Sequence, residues 1–405
     1  MEKQNKNGWR YALCAGVTAV VVFGVTMLGC TLGFRLREQQ AAADAPAYLN
    51  KLEELVGILD EKYVDGLDMD ALDEYLSEAA VAATGDRWSY YISPENLAAY
   101  IESNANAYVG IGVTIAQQEE GVEPQGLVVK LVTPNGPADK AGIQVGDVIV
   151  AVEGESTAEL GMTETKDRVR GQEGTDVQLT LVRDGAPMDV TVTRATIEIE
   201  IVSYSLLDDA IGYVKINNFD SNSARDTLAA IEELREQGAE SLVFDLRFNP
   251  GGMKNELLKV LDYLLPEGPL FTSEDYQGNV TTDYSDENYL DMPMAVLVNG
   301  DSYSAAEFFA AALQEYGVAK VVGTQTCGKG NYQQTFPLSD GSAVAVSTGH
   351  YKTPKSVTLT GVGVTPDVIV EVDEDTYVKL YNDLVEKSDD AQLLAAISAL
   401  KAENP

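Results

Sequence analysis

The amino-acid sequence predicts an α/β multidomain protein: an N-terminal apolar helix, a helical N-terminal segment, a compact β-rich module and a larger α/β core. Three observations carry this prediction. Residues 11–34 are apolar and free of charge, about long enough to span a bilayer. Between 106 and 196, short β-type runs alternate with tight turns and two brief helical stretches. After Ile201, buried strands alternate with amphipathic helices, the pattern of a sheet covered by helices.

Residues 1–10 form a short tail carrying Lys3, Lys6 and Arg10, and Arg35 and Arg37 follow the apolar span. The positive-inside rule keeps that tail in the cytoplasm, so 11–34 is expected to be a transmembrane anchor. The chain beyond it then faces outward, as a single-pass protein of a bacterial cell envelope. A cleaved signal peptide is the alternative, and Met27-Leu28-Gly29-Cys30 loosely matches a lipoprotein cleavage box. Residues 35–47 read as a linker. The segment 48–105 reads as helical. Leu52, Leu55, Val56, Leu59 and Tyr63 recur at helical spacing, a second helix runs from Asp70 to Ala83, and Ser93-Pro94 opens a third towards Ser103.

The module at 106–196 shows β-type runs at 108–116, 126–133 and 148–152, helices at 138–141 and 163–170, and a hairpin of 177–183 with 188–194 about Asp184-Gly185. In the core, 197–385, strands are expected at 211–216, 241–246, 294–298 and 319–322. Helices are expected at 223–237, from the Asn249–Gly252 turn to Leu265, and at 305–316. Further strands are expected at 331–337 and 343–347. Residues 386–405 read as a helical tail.

Composition narrows the function. Hydrophobic residues make up 45% of the 405, enough to bury real cores, and the formal net charge is −36. Phosphate recognition needs a basic stripe, so nucleic acid is not expected as a partner. Cys14 and Cys30 lie in the apolar span and Cys327 stands alone, so no disulfide framework is expected. A single histidine without a Cys/His cluster leaves no zinc site, and no metal or cofactor is expected.

Three strand-to-turn junctions can carry chemistry, because sites in α/β sheets gather at strand ends. The first, Asp245–Gly252 (DLRFNPGG), ends in two glycines whose N–H groups suit an anion or oxyanion; an ordinary tight turn is the plainer reading. The second, Val298–Glu307 (VNGDSYSAAE), runs into an apolar helix. Ser302 and Ser304 are both candidate nucleophiles there, with a simple N-cap as the plainer reading, and the N–H of Ala305 could help hold an oxyanion. The third, Gly323–Gly330 (GTQTCGKG), nearly fits a P-loop. Gly330 stands where that motif needs a hydroxyl, and the following NYQQTFP reads as strand rather than helix.

A serine needs an activating base. His350 lies in a β-type stretch and would have to serve a Ser-His-Asp arrangement. Lysine is the alternative; its pKa must fall from about 10.4 towards neutrality, a differential stabilisation of about 4 kcal/mol supplied by burial. Lys329 sits in a stretch with no acidic residue between Gly323 and Leu338, which suits that role. A solvated loop lysine is the plainer reading.

Taken in order, these motifs resemble the C-terminal processing peptidases, the S41 family of serine proteases, over about Tyr48 to Val372. Asp86–Glu95 is similar to the segment before that family's PDZ domain, and Tyr108–Val113 with Gly136–Ile149 resembles the PDZ domain itself. DLRFNPGG, VNGDSYSAAE, Gly328–Gln333 (GKGNYQ) and Gly361–Asp367 (GVGVTPD) match its later motifs in order. The resemblance implies a PDZ-like β module beside an α/β-sandwich protease core. It implies Ser304 as nucleophile, Lys329 as general base, Gln333 orienting the lysine amine, Ser302 in a structural role, and an oxyanion hole from Gly251, Gly252 and Ala305. It also implies a PDZ groove at Gly110, Ile111, Gly112 and Val113 that binds substrate C-termini by β-augmentation and gates activity. The implied partners are proteins or peptides with free, apolar C-termini, and the membrane through the N-terminal helix. A homo-oligomer or a regulatory partner is left open.

Overall fold

The computed structural model describes residues 46–119 and 121–403, so the expected anchor at 11–34 lies outside the described residues. Among the described residues no helix is long and apolar enough to cross a membrane. The chain divides into two compact units at Ser77/Glu78. The first contains α1 (Ala47–Lys62) and the start of α2 (Met69–Ala82). Asp68 Oδ1 accepts the N–H groups of Asp70 and Ala71 and so closes the open end of α2.

Chain order in the second unit is β1 (Tyr90–Ile92), α3 (Pro94–Ala105), β2 (Ala107–Gly110), β3 (Val113–Gln117), β4 (Leu127–Val132), α4 (Pro137–Lys140), β5 (Val148–Val152), β6 (Glu155–Ser156), α5 (Thr157–Val169), β7 (Asp176–Arg183), β8 (Ala186–Thr193) and β9 (Ala195–Glu198). There follow β10 (Val202–Leu207), β11 (Ile211–Ile216), α6 (Ser223–Glu236), β12 (Ser241–Asp245), α7 (Lys254–Leu264), β13 (Gly268–Asp275), β14 (Val280–Ser285), β15 (Met294–Val298), α8 (Ala305–Tyr316), β16 (Ala319–Gly323), β17 (Asn331–Pro337), β18 (Ala343–Lys352), β19 (Val368–Ile369), α9 (Glu374–Tyr381) and α10 (Ala391–Glu403).

The central sheet runs β10-β11-β12-β15-β16-β19, parallel except for β10. Its inner strands β11, β12, β15 and β16 are buried on both faces, as parallel strands covered by helices must be. Val214, Ile216, Leu242, Phe244, Met294 and Val296 join α6, α7 and α8 in one core. The intervening Tyr213, Val243, Ala295, Leu297 and Val322 meet Leu393, Ala396 and Leu400 of α10 in another. Period-2 alternation thus serves two helical layers from one sheet. A second sheet, β1-β18-β13-β14 with β17 on β18, carries the later strands. Its first strand comes from the segment expected to be purely helical, because Tyr90–Ile92 pairs with Ala343–Ala345.

The β module keeps its own core of Ile111, Val129, Ile149, Val177, Leu179 and Leu181. The expected continuous strand 108–116 is broken at Ile111-Gly112. Gly112 adopts φ +76°, which ends β2 and turns the chain into β3. β2 pairs with β9, where the chain leaves the module, while β3 is an edge of the sheet β3-β4-β5-β7-β8. The helix expected at 163–170 starts earlier, at Thr157, with a break at Gly161.

Candidate active site

β12, β15 and β16 lie side by side, with Asp245 opposite Leu297 and Val298 opposite Gly323. Their carboxyl ends therefore deliver the three glycine-containing loops to one place, as open parallel sheets do. The first two loops are laced together. Ser302, fully buried, donates from Oγ to the Leu246 carbonyl at 2.7 Å and accepts the Asn299 N–H at 2.9 Å. Asn299 Oδ1 in return accepts the N–H of Phe248 at 3.0 Å. Ser302 thus pins the serine loop to the DLRFNPGG turn.

Ser304 opens α8 at φ +59°, ψ −119°, a region that non-glycine residues avoid. Holding it there costs about 1–3 kcal/mol, of the kind stored at functional turns. Gly251 packs directly beneath: a Cβ there would lie 2.7 Å from Ser304 Cβ and 2.8 Å from the Ala305 nitrogen. The Gly251 N–H, expected in the oxyanion hole, is instead taken by Asn249 Oδ1 at 2.8 Å. This is the Asx-type bond that an asparagine makes two residues on, and it removes Gly251 as a donor. No described residue accepts the N–H of Gly252 or Ala305. Gly252 itself is demanded by packing, because a Cβ would stand 2.4 Å from the Phe219 carbonyl carbon.

Ser304, Lys329, Gln333, Gly251, Gly252 and Ala305 line one cleft of about 890 Å³. The Lys329 ammonium lies 4.8 Å from the Trp88 ring centroid and 5.9 Å from that of Tyr303. Burial lowers its pKa, against the opposing pull of Asp86, Cys327 and Glu307. No described hydrogen bond joins its Nζ to Ser304. Gln333 does not bond the lysine amine either. Its amide donates to Ser347 Oγ at 2.9 Å, and Ser347 in turn bonds Asp86. Burial works against the Asp86 carboxylate, but bonds from Ser347 and Ser89 and the Lys329 charge hold its pKa below the usual carboxylate range. Gln333 is therefore linked towards Lys329 only through Ser347 and Asp86.

Sequence reasoning missed Glu307. It is fully buried and faces four donors: Oε1 takes Thr326 Oγ1 and the Gly328 N–H, while Oε2 takes the N–H groups of Ser304 at 3.0 Å and Lys329 at 2.8 Å. One carboxylate thus ties the serine loop to the lysine loop. Ser304-x-x-Glu307 is the spacing of a capping box, which was the available signal. Tyr351 was also missed. Its hydroxyl donates to the Lys329 carbonyl and its side chain bonds that of Ser304; burial raises its pKa. His350, one residue earlier on β18, points the other way. It is exposed, bonds Asn331 Oδ1 at 2.8 Å and does not line the cleft.

In the β module, Gly110, Ile111, Gly112 and Val113 line a groove of about 340 Å³ between β3 and α5, closed by Met162, Lys166 and Arg170. Arg170 also pairs with Glu102 on α3 at 3.1 Å.

Residues 210–370 match the model of peptidase family S41, and residues 128–183 match a PDZ domain. A probable CtpA-like serine protease of Staphylococcus aureus (strain N315) is 31% identical over 329 residues, 80% of this chain and 65% of the relative. The chain thus spans a little under two thirds of that protein's length. A carboxy-terminal-processing protease of Bartonella bacilliformis is 32% identical over 301 residues, 71% of this chain and 67% of the relative. Among solved structures, a photosystem II D1 C-terminal processing protease is 31% identical, with 80% of this chain and 87% of that chain covered at a TM-score of 0.45. On the identity and coverage shared with the Bartonella relative, and the family match over the serine and lysine loops, this chain belongs to peptidase family S41 and carries a PDZ domain.

Proposed function

We propose that the protein is a serine endopeptidase of the carboxy-terminal-processing kind, acting through Ser304 and Lys329. The observation that carries this is a strained serine at a helix N-terminus sharing a cleft with a half-buried lysine whose ammonium lies against Trp88 and Tyr303. In the proposed reaction Lys329 leaves the Trp88 ring, comes within about 3 Å of Ser304 Oγ and, as the neutral amine, takes its proton. Oγ attacks the peptide carbonyl, and the tetrahedral oxyanion is held by the N–H groups of Gly252 and Ala305. The Lys329 ammonium then protonates the departing amine. Water, deprotonated by Lys329, attacks the acyl-enzyme and releases the second product, returning the proton to Ser304.

Gly110–Val113 and the free edge of β3 would take up an extended, apolar substrate C-terminus as an added strand. Occupation of that groove would gate the cleft. Residues 11–34 would anchor the protein with this part outside the cytoplasm. The test compares the full chain with Ser304→Ala and Lys329→Ala on an unfolded protein ending in apolar residues, products being followed by mass spectrometry. Both variants should lose at least about 10⁴-fold in rate; equal cleavage by all three removes Ser304 as nucleophile.

A further inference from the structure

We infer that Asp220 gives the cleft a specificity pocket for a lysine or arginine side chain of the substrate near the scissile bond. The inference rests on the peptidase reading of that cleft. Among the described residues lining it, Asp220 is the only carboxylate, set against three cations, Arg87, Lys254 and Lys329. Each cation is already occupied. Arg87 donates to Cys327 Sγ at 3.0 Å and lies over Trp88, Lys254 pairs with Asp283 at 2.6 Å, and Lys329 is held among aromatic rings.

Asp220 has no such partner. No described residue donates a hydrogen bond to its carboxylate or forms an ion pair with it, although the residue is half-buried. Burial alone pushes its pKa up to about 6. Withdrawing a carboxylate from water without a partner is costly, and no described residue supplies one. Capping of α6 does not explain it: the Ser223 N–H goes to the Asp220 carbonyl, and the Ala224 N–H goes to Glu256.

Its placement explains it. Phe219 bridges Gly252 in parallel register, and a Cβ on Gly252 would stand 2.7 Å from the Asp220 nitrogen. Asp220 therefore abuts the turn that offers an oxyanion donor. The same end of the cleft carries Tyr90, whose hydroxyl senses the Asp220 charge, and Tyr100, with ring centroids 6.3 Å apart. The Tyr100 hydroxyl bonds Thr335 at 2.9 Å and the Tyr90 side chain bonds Tyr100, so neither phenol is spent on Asp220 and the rings stand as walls. One unpaired carboxylate beside two aromatic rings is the chemistry that receives a cationic side chain.

The test uses the full chain in detergent and a peptide set in which each position flanking the cleavage point is in turn lysine, norleucine or glutamate. At one position the parent should favour lysine over norleucine by at least about tenfold in kcat/KM. Asp220→Asn should bring that ratio near one, and Asp220→Lys should shift the preference to glutamate at the same position. Binding of the same peptides to Ser304→Ala, and to Ser304→Ala with Asp220→Asn, is measured in parallel. A lysine preference in binding without any cleavage would retire the peptidase reading and keep the pocket. No lysine preference in either assay, or a ratio unchanged by Asp220→Asn, overturns the pocket.

Discussion

At the scale of single residues, the cleft sets two demands on Lys329 against each other. Burial disfavours its ammonium, while Asp86, Cys327 and Glu307 pull the other way, and burial prevails. If the neutral amine is the base, kcat/KM should rise with pH as Lys329 loses its proton, with a midpoint below the 10.5 of an ordinary lysine. Replacing Trp88 with leucine admits water, so the midpoint should climb back towards that value; a pH–rate profile on a peptide substrate reads both, and an identical midpoint in the two proteins would disprove the burial account. Ser304 and Lys329 were legible in the sequence because their loops carry short motifs in a fixed order. Glu307 and Tyr351 were not, because their roles exist only after folding. Of the four donors to Glu307 only the Ser304 N–H lies at the capping-box spacing, and the other three come from the lysine loop beyond α8 and β16. Tyr351 differs from its exposed neighbour His350 only in the face of β18 it occupies.

At the scale of elements, β12 and β15 were legible as apolar runs and β16 as a shorter one broken by Lys320, the mark of strands covered on both sides. β13 and β14 were not. Thr272, Ser273 and Glu274 and their partners Thr282, Thr281 and Val280 are polar but for the valine, so no apolar period marks them as strands. The role of α10 was also hidden, because it depends on a buried ion network beneath the DLRFNPGG turn. Arg247 forms ion pairs with Asp245 and, at 2.7 Å, with Asp390 just ahead of α10, and it donates to Gln392 at 3.0 Å. Tyr213 completes the network by donating to Asp245 at 2.7 Å. Removing one member of such a buried set leaves charge uncompensated. Asp390→Ala should therefore lower the unfolding free energy by about 3–5 kcal/mol in a denaturant titration, and a loss within the error of the wild-type value would show that α10 is held by Leu393, Ala396 and Leu400 alone.

At the scale of the whole molecule, the PDZ domain is an insertion with adjoining ends. Gly110 and Ala195 are cross-strand partners on β2 and β9, and everything between them closes on its own core. Excising residues 111–194 and joining Gly110 to Ala195 through an Asn-Gly turn should leave a folded protein, because that turn suits a two-strand hairpin. If the groove recruits and gates, the excised protein should lose at least about tenfold in cleavage of a long unfolded substrate relative to a short peptide. Equal losses on both would count against recruitment by the groove. The adjoining ends mean that the PDZ domain is a cassette spliced into a hairpin. If the domain reads substrates as proposed, another reader could be exchanged at that splice, redirecting the proposed peptidase to different proteins without redrawing the cleft that would cut them.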